Sequence, residues 1–279
     1  MSARIVYQGE PGAYSHLACR EHFGDMEPWA CQSFAHAFAR VRSGEAALAM
    51  IPVENTVAGR VSDIYHLLPD GGLFIVAERY QPIRHQLLGL PGAALEGVRI
   101  ARSHPMALGQ VRESLSRLGI DGIADVDTAA AARKVAERGD AGVAAVASRV
   151  AAEEYGLEIL AADIEDSGSN TTRFIVLSAE ASVPAPDAGP VVSSYVFRTR
   201  SVPSALYKAL GGFATNGLNL TKLESYMVGG GFAAVQFYAD VEGHPDSDAM
   251  RHALEELAFF SEDVRHLGTY PADPARTGS

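Results

Sequence analysis

Two α/β modules in series are what the sequence predicts: a layered α/β domain over residues 1–179 and a βαββαβ, ferredoxin-like module over 191–272. Three observations predict this. Through the first module, short runs rich in Val, Ile and Leu alternate with Ala-rich stretches of helical period. Residues 179–190 hold three prolines, four alanines and a glycine with no period, so 180–190 reads as a linker. Beyond it the patterns run strand, helix, strand, strand, helix, strand.

In chain order, strands are predicted at 4–9, 46–53, 73–80, 85–90, 98–101 and 141–147. Residues 104–118 place Met106, Leu108, Val111, Leu115 and Leu118 on one face of a single helix, with Pro105 tolerated as its first residue. Asp127 or Thr128 caps an Ala-rich helix running to Arg138, and Gly139 stops it. The second module reads as strand 191–199, helix 203–215, strands 218–228 and 232–242 across a Gly229-Gly230-Gly231 turn, helix 245–260 and strand 264–269.

Composition narrows the function classes. Of 279 residues, 47% are hydrophobic and 20% charged, enough apolar mass for more than one core. The net charge of -11 repels a phosphate backbone and offers no basic block, which argues against nucleic acid or anionic membrane as the main partner. Cys19 and Cys31 lack metal or redox spacing and read as reduced, structural thiols. The residues after Met1 lack an apolar signal region and no run of about 18 apolar residues follows, so a soluble, cytoplasmic protein is expected.

Polar clusters follow the apolar strands, where an α/β sheet exposes its binding groups. Gly9-Glu10-Pro11-Gly12-Ala13-Tyr14-Ser15 is either a plain turn or a loop whose backbone approaches an anion. Glu54-Asn55-Thr56 supplies a carboxylate, an amide and a hydroxyl in succession, as a helix cap or as site groups. Ser103-His104-Pro105, with Gln110 one to two turns on, places a hydroxyl and a carboxamide near one another or serves structure alone. Asn170-Thr171-Thr172-Arg173-Phe174 sets a hydroxyl beside a guanidinium, suited to a small anionic substrate or to a structural ion pair. No Ser-His-Asp or Cys-His order, P-loop, dinucleotide fingerprint or metal-ligand spacing is present, so neither a metal nor an organic cofactor is expected.

Taken together, Gly-x-Pro-Gly-Ala-Tyr-Ser at 9–15, Pro-Val-Glu-Asn-Thr-x-Ala-Gly at 52–59, Ser-His-Pro-x-Ala-Leu-x-Gln at 103–110, Asp-Thr-Ala at 127–129 and Asn-Thr-Thr-Arg-Phe at 170–174 resemble the prephenate dehydratase family. The second module, with Leu206-Tyr207-Lys208 and 217–225 (Gly-Leu-Asn-Leu-Thr-Lys-Leu-Glu-Ser), resembles that family's ACT domain. The resemblance implies a two-lobed, periplasmic-binding-protein-like (type II) catalytic domain, with lobe one at about 1–79 and 160–179 and lobe two at about 80–159, ahead of the ferredoxin-like ACT domain. It also implies conversion of prephenate to phenylpyruvate without a cofactor, by a homodimer or homotetramer sensing phenylalanine.

By the same resemblance Thr172 assists the departing hydroxyl, while Asn55, Ser103 and Gln110 position the substrate and Glu54 is a candidate proton source. Gly12, Ala13, Tyr14, Ser15, Thr56, Arg173 and Phe174 would line the substrate site, with Arg173 on a carboxylate. Phenylalanine would meet Ala205, Leu206, Asn219, Leu220, Glu224 and Ser225. The family's regulatory motifs read Gly-Ala-Leu and Glu-Ser-Arg-Pro, whereas Ser204-Ala205-Leu206 and Glu224-Ser225-Tyr226-Met227 stand here, changing backbone freedom and a charge at the effector loop. Two other readings stand beside this one: arogenate dehydratase, whose substrate carries an amino group in place of the keto group, and a non-catalytic small-molecule sensor.

Overall fold

The first apolar run becomes β1 (Arg4–Gln8), buried at its three central residues. After α1 (Tyr14–His22), β2 (Glu27–Cys31) pairs with β1 in parallel. The sequence did not predict β2: it is an edge strand with Pro28 inside it, and only Cys31 is fully buried. Two guanidinium groups stand over its Trp29 ring, Arg40 at 3.4 Å and Arg4 at 4.6 Å from the centroid. Next come α2 (Phe34–Arg42), β3 (Leu48–Asn55), a two-residue β4 (Gly59–Arg60), α3 (Ser62–Leu67) and β5 (Phe74–Pro82).

After Pro82 the chain enters a second sheet, β6 (Gln86–Gly89), β7 (Ile100–Ser103), β8 (Asp121–Ala124), β9 (Val143–Ala147) and β10 (Glu158–Ala161), in the order β10-β6-β9-β7-β8. Its helices are α4 (Pro105–Gln110), α5 (Arg112–Leu118), α6 (Thr128–Arg138) and α7 (Arg149–Tyr155). Then β11 (Thr171–Ser178) returns to the first sheet, giving it the order β2-β1-β3-β11-β5. Two chain crossings between two such sheets make the two-lobed, type II periplasmic-binding-protein-like topology.

The second sheet is apolar on both faces because its strands alternate. Leu87, Ala144 and Val146 pack with Val111, Leu115 and Ile120. Leu88, Ala145 and Ala147 turn the other way, onto Ala131, Ala132 and Val135 of α6 and Ala151 and Ala152 of α7. The alanines let those helices approach the sheet closely, which accounts for the alanine richness of this region. Of the two predicted caps it is Asp127 that caps α6, accepting from the Ala130 amide at 2.7 Å, and Gly139 ends the helix at φ 67° as predicted.

The single helix predicted over 104–118 is two helices. Val111 leaves helical geometry at φ -123°, ψ 14°. The cause lies far along the chain: the Asp166 carboxylate accepts from the Glu113 amide at 2.9 Å and the Ser114 amide at 3.0 Å, capping a fresh N-terminus. Although burial alone would raise it, Asp166 titrates below the usual carboxylate range because of those amides and the Ser114 hydroxyl.

In the second module β12 (Val191–Thr199), α8 (Ala205–Thr215), β13 (Leu220–Met227), β14 (Val235–Glu242), α9 (Asp248–Phe260) and β15 (Ser261–Pro271) form the expected βαββαβ unit, with strand order β13-β14-β12-β15. All its neighbouring strands run antiparallel. Both helices pack on one face, with Phe197, Phe213, Phe237, Met250 and Leu257 in the core. The structure describes residues 3–228 and 235–277, so the predicted triple-glycine turn lies outside the described residues.

By contact density the chain forms two compact units, Met1–Arg40, Ala49–Arg60 and Tyr80–Phe174 in one, Val41–Leu48, Val61–Arg79 and Ile175–Ser279 in the other. Within the second unit, Glu78 and Asp240 are both fully buried. Arg276 grips Glu78 with two hydrogen bonds, at 2.7 and 2.6 Å, reaches the Thr221 hydroxyl at 2.6 Å, and stands 3.8 Å from Asp240. Asp240 also accepts from the hydroxyls of Ser194 and Tyr238, each at 2.6 Å. Among the described residues no helix is long and apolar enough to cross a membrane.

Candidate active site

The site is built where β3 ends beside the start of β11. Asn55 closes an Asx turn: its Oδ1 accepts from the amides of Val57 at 2.9 Å and Ala58 at 2.8 Å. Its Nδ2 then faces Asn170 Oδ1 at 2.8 Å, Thr172 Oγ1 at 2.9 Å and the Thr171 carbonyl at 3.2 Å. Thr56 holds the same corner from the other side, donating to the Ser169 carbonyl at 2.8 Å and accepting from the Thr171 amide at 3.0 Å. The cap and site readings of this cluster are therefore both true of Asn55, whose oxygen makes the turn and whose nitrogen reaches Thr172.

From Asn170 the network continues. Asn170 Nδ2 donates to Gln110 Oε1 at 2.9 Å, and His85 Nε2 lies 2.7 Å from the same oxygen. His85 Nδ1 is 2.6 Å from the Tyr14 hydroxyl. Asn170 is 3% exposed and His85 2%, so these bonds run through protein rather than water. Burial lowers the His85 pKa, outweighing the raising effects of Gln110 and Glu165, and burial likewise lifts Tyr14 well above the ordinary phenol range. A cavity of about 300 Å³ opens beside the network, walled by Gln110, Asn170, Val57, Pro105 and Met106.

Of the other predicted site residues Tyr14 belongs to this network, and the rest make other contacts. Strand alternation sends neighbouring side chains to opposite faces. Glu54 therefore leaves the face opposite Asn55, in register with Arg60, and Arg173, buried on β11, leaves the face opposite Thr172. Ser103 is fully buried with its hydroxyl donating to the Val146 carbonyl at 2.6 Å. Phe174 is 1% exposed. At Gly12, φ is +88° and an added Cβ would meet the Ala151 Cα at 2.8 Å, so its glycine serves close packing on α7. Its carbonyl accepts from the Ser148 hydroxyl at 2.6 Å. Ala13 precedes the first turn of α1, whose Ser15 is buried, and Tyr14 turns its hydroxyl to His85.

His85 and Asn170 are the network members that sequence reasoning did not single out. Asn170 stood inside a motif already marked. His85 opened a predicted strand, where a polar residue carries no signal, and its side-chain partners lie 71 and 25 residues away.

In the ACT-like module Ala205 is buried, while Leu206 and Leu220 pack against the core from partly buried positions. Asn219 donates to Glu242 at 2.9 Å and Glu224 accepts from Lys222 at 3.2 Å. Ser225 is exposed. Ser204 adopts φ 58°, a left-handed conformation that glycine takes without strain. Tyr226 is buried against Tyr65 and His66, with ring centroids 6.0 and 5.3 Å apart.

Acid should weaken the first unit. Burial holds His16, whose ring stacks on Tyr7 at 5.3 Å, below its ordinary pKa as it does His85. Above about pH 6.5 both are neutral folded or unfolded, and stability is full. Below it the unfolded chain binds protons first, and stability is lost towards the depressed native values. Thermal melts should show the midpoint falling from pH 7 to pH 5; a flat midpoint would refute the assignment.

Comparison with known proteins gives a consistent picture. A family model described as prephenate dehydratase matches residues 5–182. The chain is 50% identical over 273 residues, 98% of its length and 97% of the relative's, to a bifunctional N-acyl-homoserine lactone acylase/prephenate dehydratase of Komagataeibacter europaeus. It is 39% identical to an arogenate dehydratase/prephenate dehydratase of Arabidopsis thaliana, covering 98% of this chain and 73% of the plant protein. The crystal structure of prephenate dehydratase from Arthrobacter aurescens with L-Phe superposes with a TM-score of 0.88 at 30% identity, covering 97% of this chain and 90% of that one.

Proposed function

This chain belongs to the prephenate dehydratase family, and on that premise we propose that it converts prephenate to phenylpyruvate in the cytoplasm, as a homo-oligomer whose activity phenylalanine modulates. The observation that carries the reading is the network joining Asn55, Gln110, Asn170 and Thr172 beside a cavity of about 300 Å³. Every one of these groups is uncharged. They supply directed hydrogen bonds without the fixed positive charge that would oppose loss of a ring carboxylate.

The bond changes require little more. The C–C bond to the ring carboxylate breaks, its electron pair enters the ring, and carbon dioxide leaves. The C–O bond breaks with its pair on the hydroxyl, which takes one proton and leaves as water. Aromatisation drives both. Thr172 accepts from Asn55 at 2.9 Å, which leaves its own proton to be donated to the departing oxygen. A threonine hydroxyl is too weak an acid to surrender that proton outright, so its contribution is a preorganised hydrogen bond that strengthens as charge develops, with solvent supplying the net proton. Val57, Pro105 and Met106 give the cavity an apolar wall suited to the ring.

Arogenate would undergo the same bond changes, and the plant relative's name includes that activity. The Komagataeibacter relative's name adds an N-acyl-homoserine lactone acylase, which its 50% identity makes a second reading. The effector loop departs from the family motif: Tyr226 is buried against Tyr65 and His66 at the position where that motif has arginine. One assay separates these readings: purified protein given prephenate, arogenate or an N-acyl-homoserine lactone, with phenylalanine titrated in. Prephenate turnover that phenylalanine shifts is the expected result. Preference for another substrate reassigns the activity, and no turnover of any leaves a sensor.

A further inference from the structure

From Asn55 as far as His85 Nε2, the direction of each hydrogen bond is fixed from one end. Backbone amides only donate, so the Asn55 atom facing Val57 and Ala58 is oxygen, and the atom facing Asn170 is nitrogen. An amide nitrogen cannot accept, so Asn170 presents oxygen to it and nitrogen to Gln110. Gln110 must then present its carbonyl oxygen, and the His85 nitrogen 2.7 Å from that oxygen must carry a proton. Burial lowers the His85 pKa, so at pH 7 the ring is neutral with Nδ1 bare, and the Tyr14 hydroxyl donates to it at 2.6 Å in preference to the Arg84 carbonyl at 3.2 Å.

We propose that Tyr14 and His85 are positioning residues of the dehydration, which hold Gln110 with its carbonyl oxygen towards protein and its amide N–H groups towards the cavity, as donors to an anionic oxygen of the substrate. The proposal rests on the dehydratase reading. Gln110 borders the cavity, and its oxygen accepts from both His85 and Asn170. With both donors in place a flipped carboxamide would set N–H against N–H twice. Without His85 a single donor resists that flip. Tyr14 acts one step further back: with its hydroxyl on Nδ1 the imidazole proton stays on Nε2, and without it the alternative tautomer puts a bare nitrogen against the Gln110 oxygen.

The test has two arms, both on the full chain. Long-range ¹H–¹⁵N spectra of the histidine side chains, with His85 assigned through His85→Gln, should show the Nε2-protonated neutral tautomer at pH 7; the Nδ1-protonated or charged form would overturn the proposal. Kinetically, Tyr14→Phe should lower kcat roughly 10- to 100-fold, with KM changed less than about threefold. His85→Gln, which keeps an N–H near the Nε2 position, should retain more turnover than His85→Phe, an ordering that a purely steric role reverses or abolishes. An active wild type with an unimpaired Tyr14→Phe variant would sink the positioning role alone. A wild type inactive on prephenate and arogenate would remove the dehydratase reading and with it any catalytic part for Tyr14 and His85, whatever the spectra show.

Discussion

Asn55→Asp should cut turnover about 10³-fold while leaving the fold intact. The substitution is isosteric, and one carboxylate oxygen can still accept from the amides of Val57 and Ala58, so the turn survives. The other oxygen replaces the nitrogen that donates to Asn170 and Thr172. It confronts the Asn170 oxygen, and it draws the Thr172 proton towards itself, away from the departing hydroxyl. Losing one preorganised donor to developing charge costs about 10²–10³-fold in kcat. Reversing a second hydrogen bond in the same step places the expectation at the upper end, about 10³-fold. Initial rates of phenylpyruvate formation, with circular dichroism as the check on folding, decide it. A kcat within about threefold of wild type would mean that Asn55 does nothing beyond closing its turn.

The largest stability effect should come from Arg276→Met. Glu78 and Asp240 are both fully buried, and the side chain of Arg276 is 8% exposed with two hydrogen bonds to Glu78. Removing the guanidinium leaves two buried carboxylates without that counter-charge. The expected loss is about 3–5 kcal/mol in urea unfolding, because desolvated charge is costly once its partner goes. Adding Glu78→Gln to the same chain should recover part of it, since one of the two charges is then gone. A loss below about 1 kcal/mol for Arg276→Met alone would show that Glu78 and Asp240 are held by other groups.

How much of this was legible in the sequence follows the range of the interactions involved. The Asp127 cap and the Gly139 stop were readable because cap and helix are adjacent in the chain. The ferredoxin-like order was readable because each of its elements carries its own period. The break at Val111 was not, since the Asp166 carboxylate that caps α5 arrives from a loop more than 50 residues on. The site divides in the same way. Asn55 and Thr172 announce themselves as polar residues at strand ends, but their union is a contact between segments 117 residues apart. Glu54 and Asn55, like Thr172 and Arg173, are neighbours in sequence, but strand alternation turns each pair to opposite faces. His85 was silent because its meaning depends on two partners from two other segments.

Trp29 turns the edge strand β2 into a reporter. It is the one tryptophan of the chain, it belongs to the first unit, and its ring contacts the guanidinium groups of Arg4 and Arg40, which belong there too. Its fluorescence therefore follows the melting of that unit alone, whereas the far-ultraviolet signal sums the helices and strands of both. Recorded on one denaturant series, the two signals coincide if the chain unfolds in a single cooperative step and part company if its units come undone separately. If they part, an effector that grips only the second unit would shift the far-ultraviolet curve and leave the fluorescence curve in place, giving a way to see regulation without measuring any reaction.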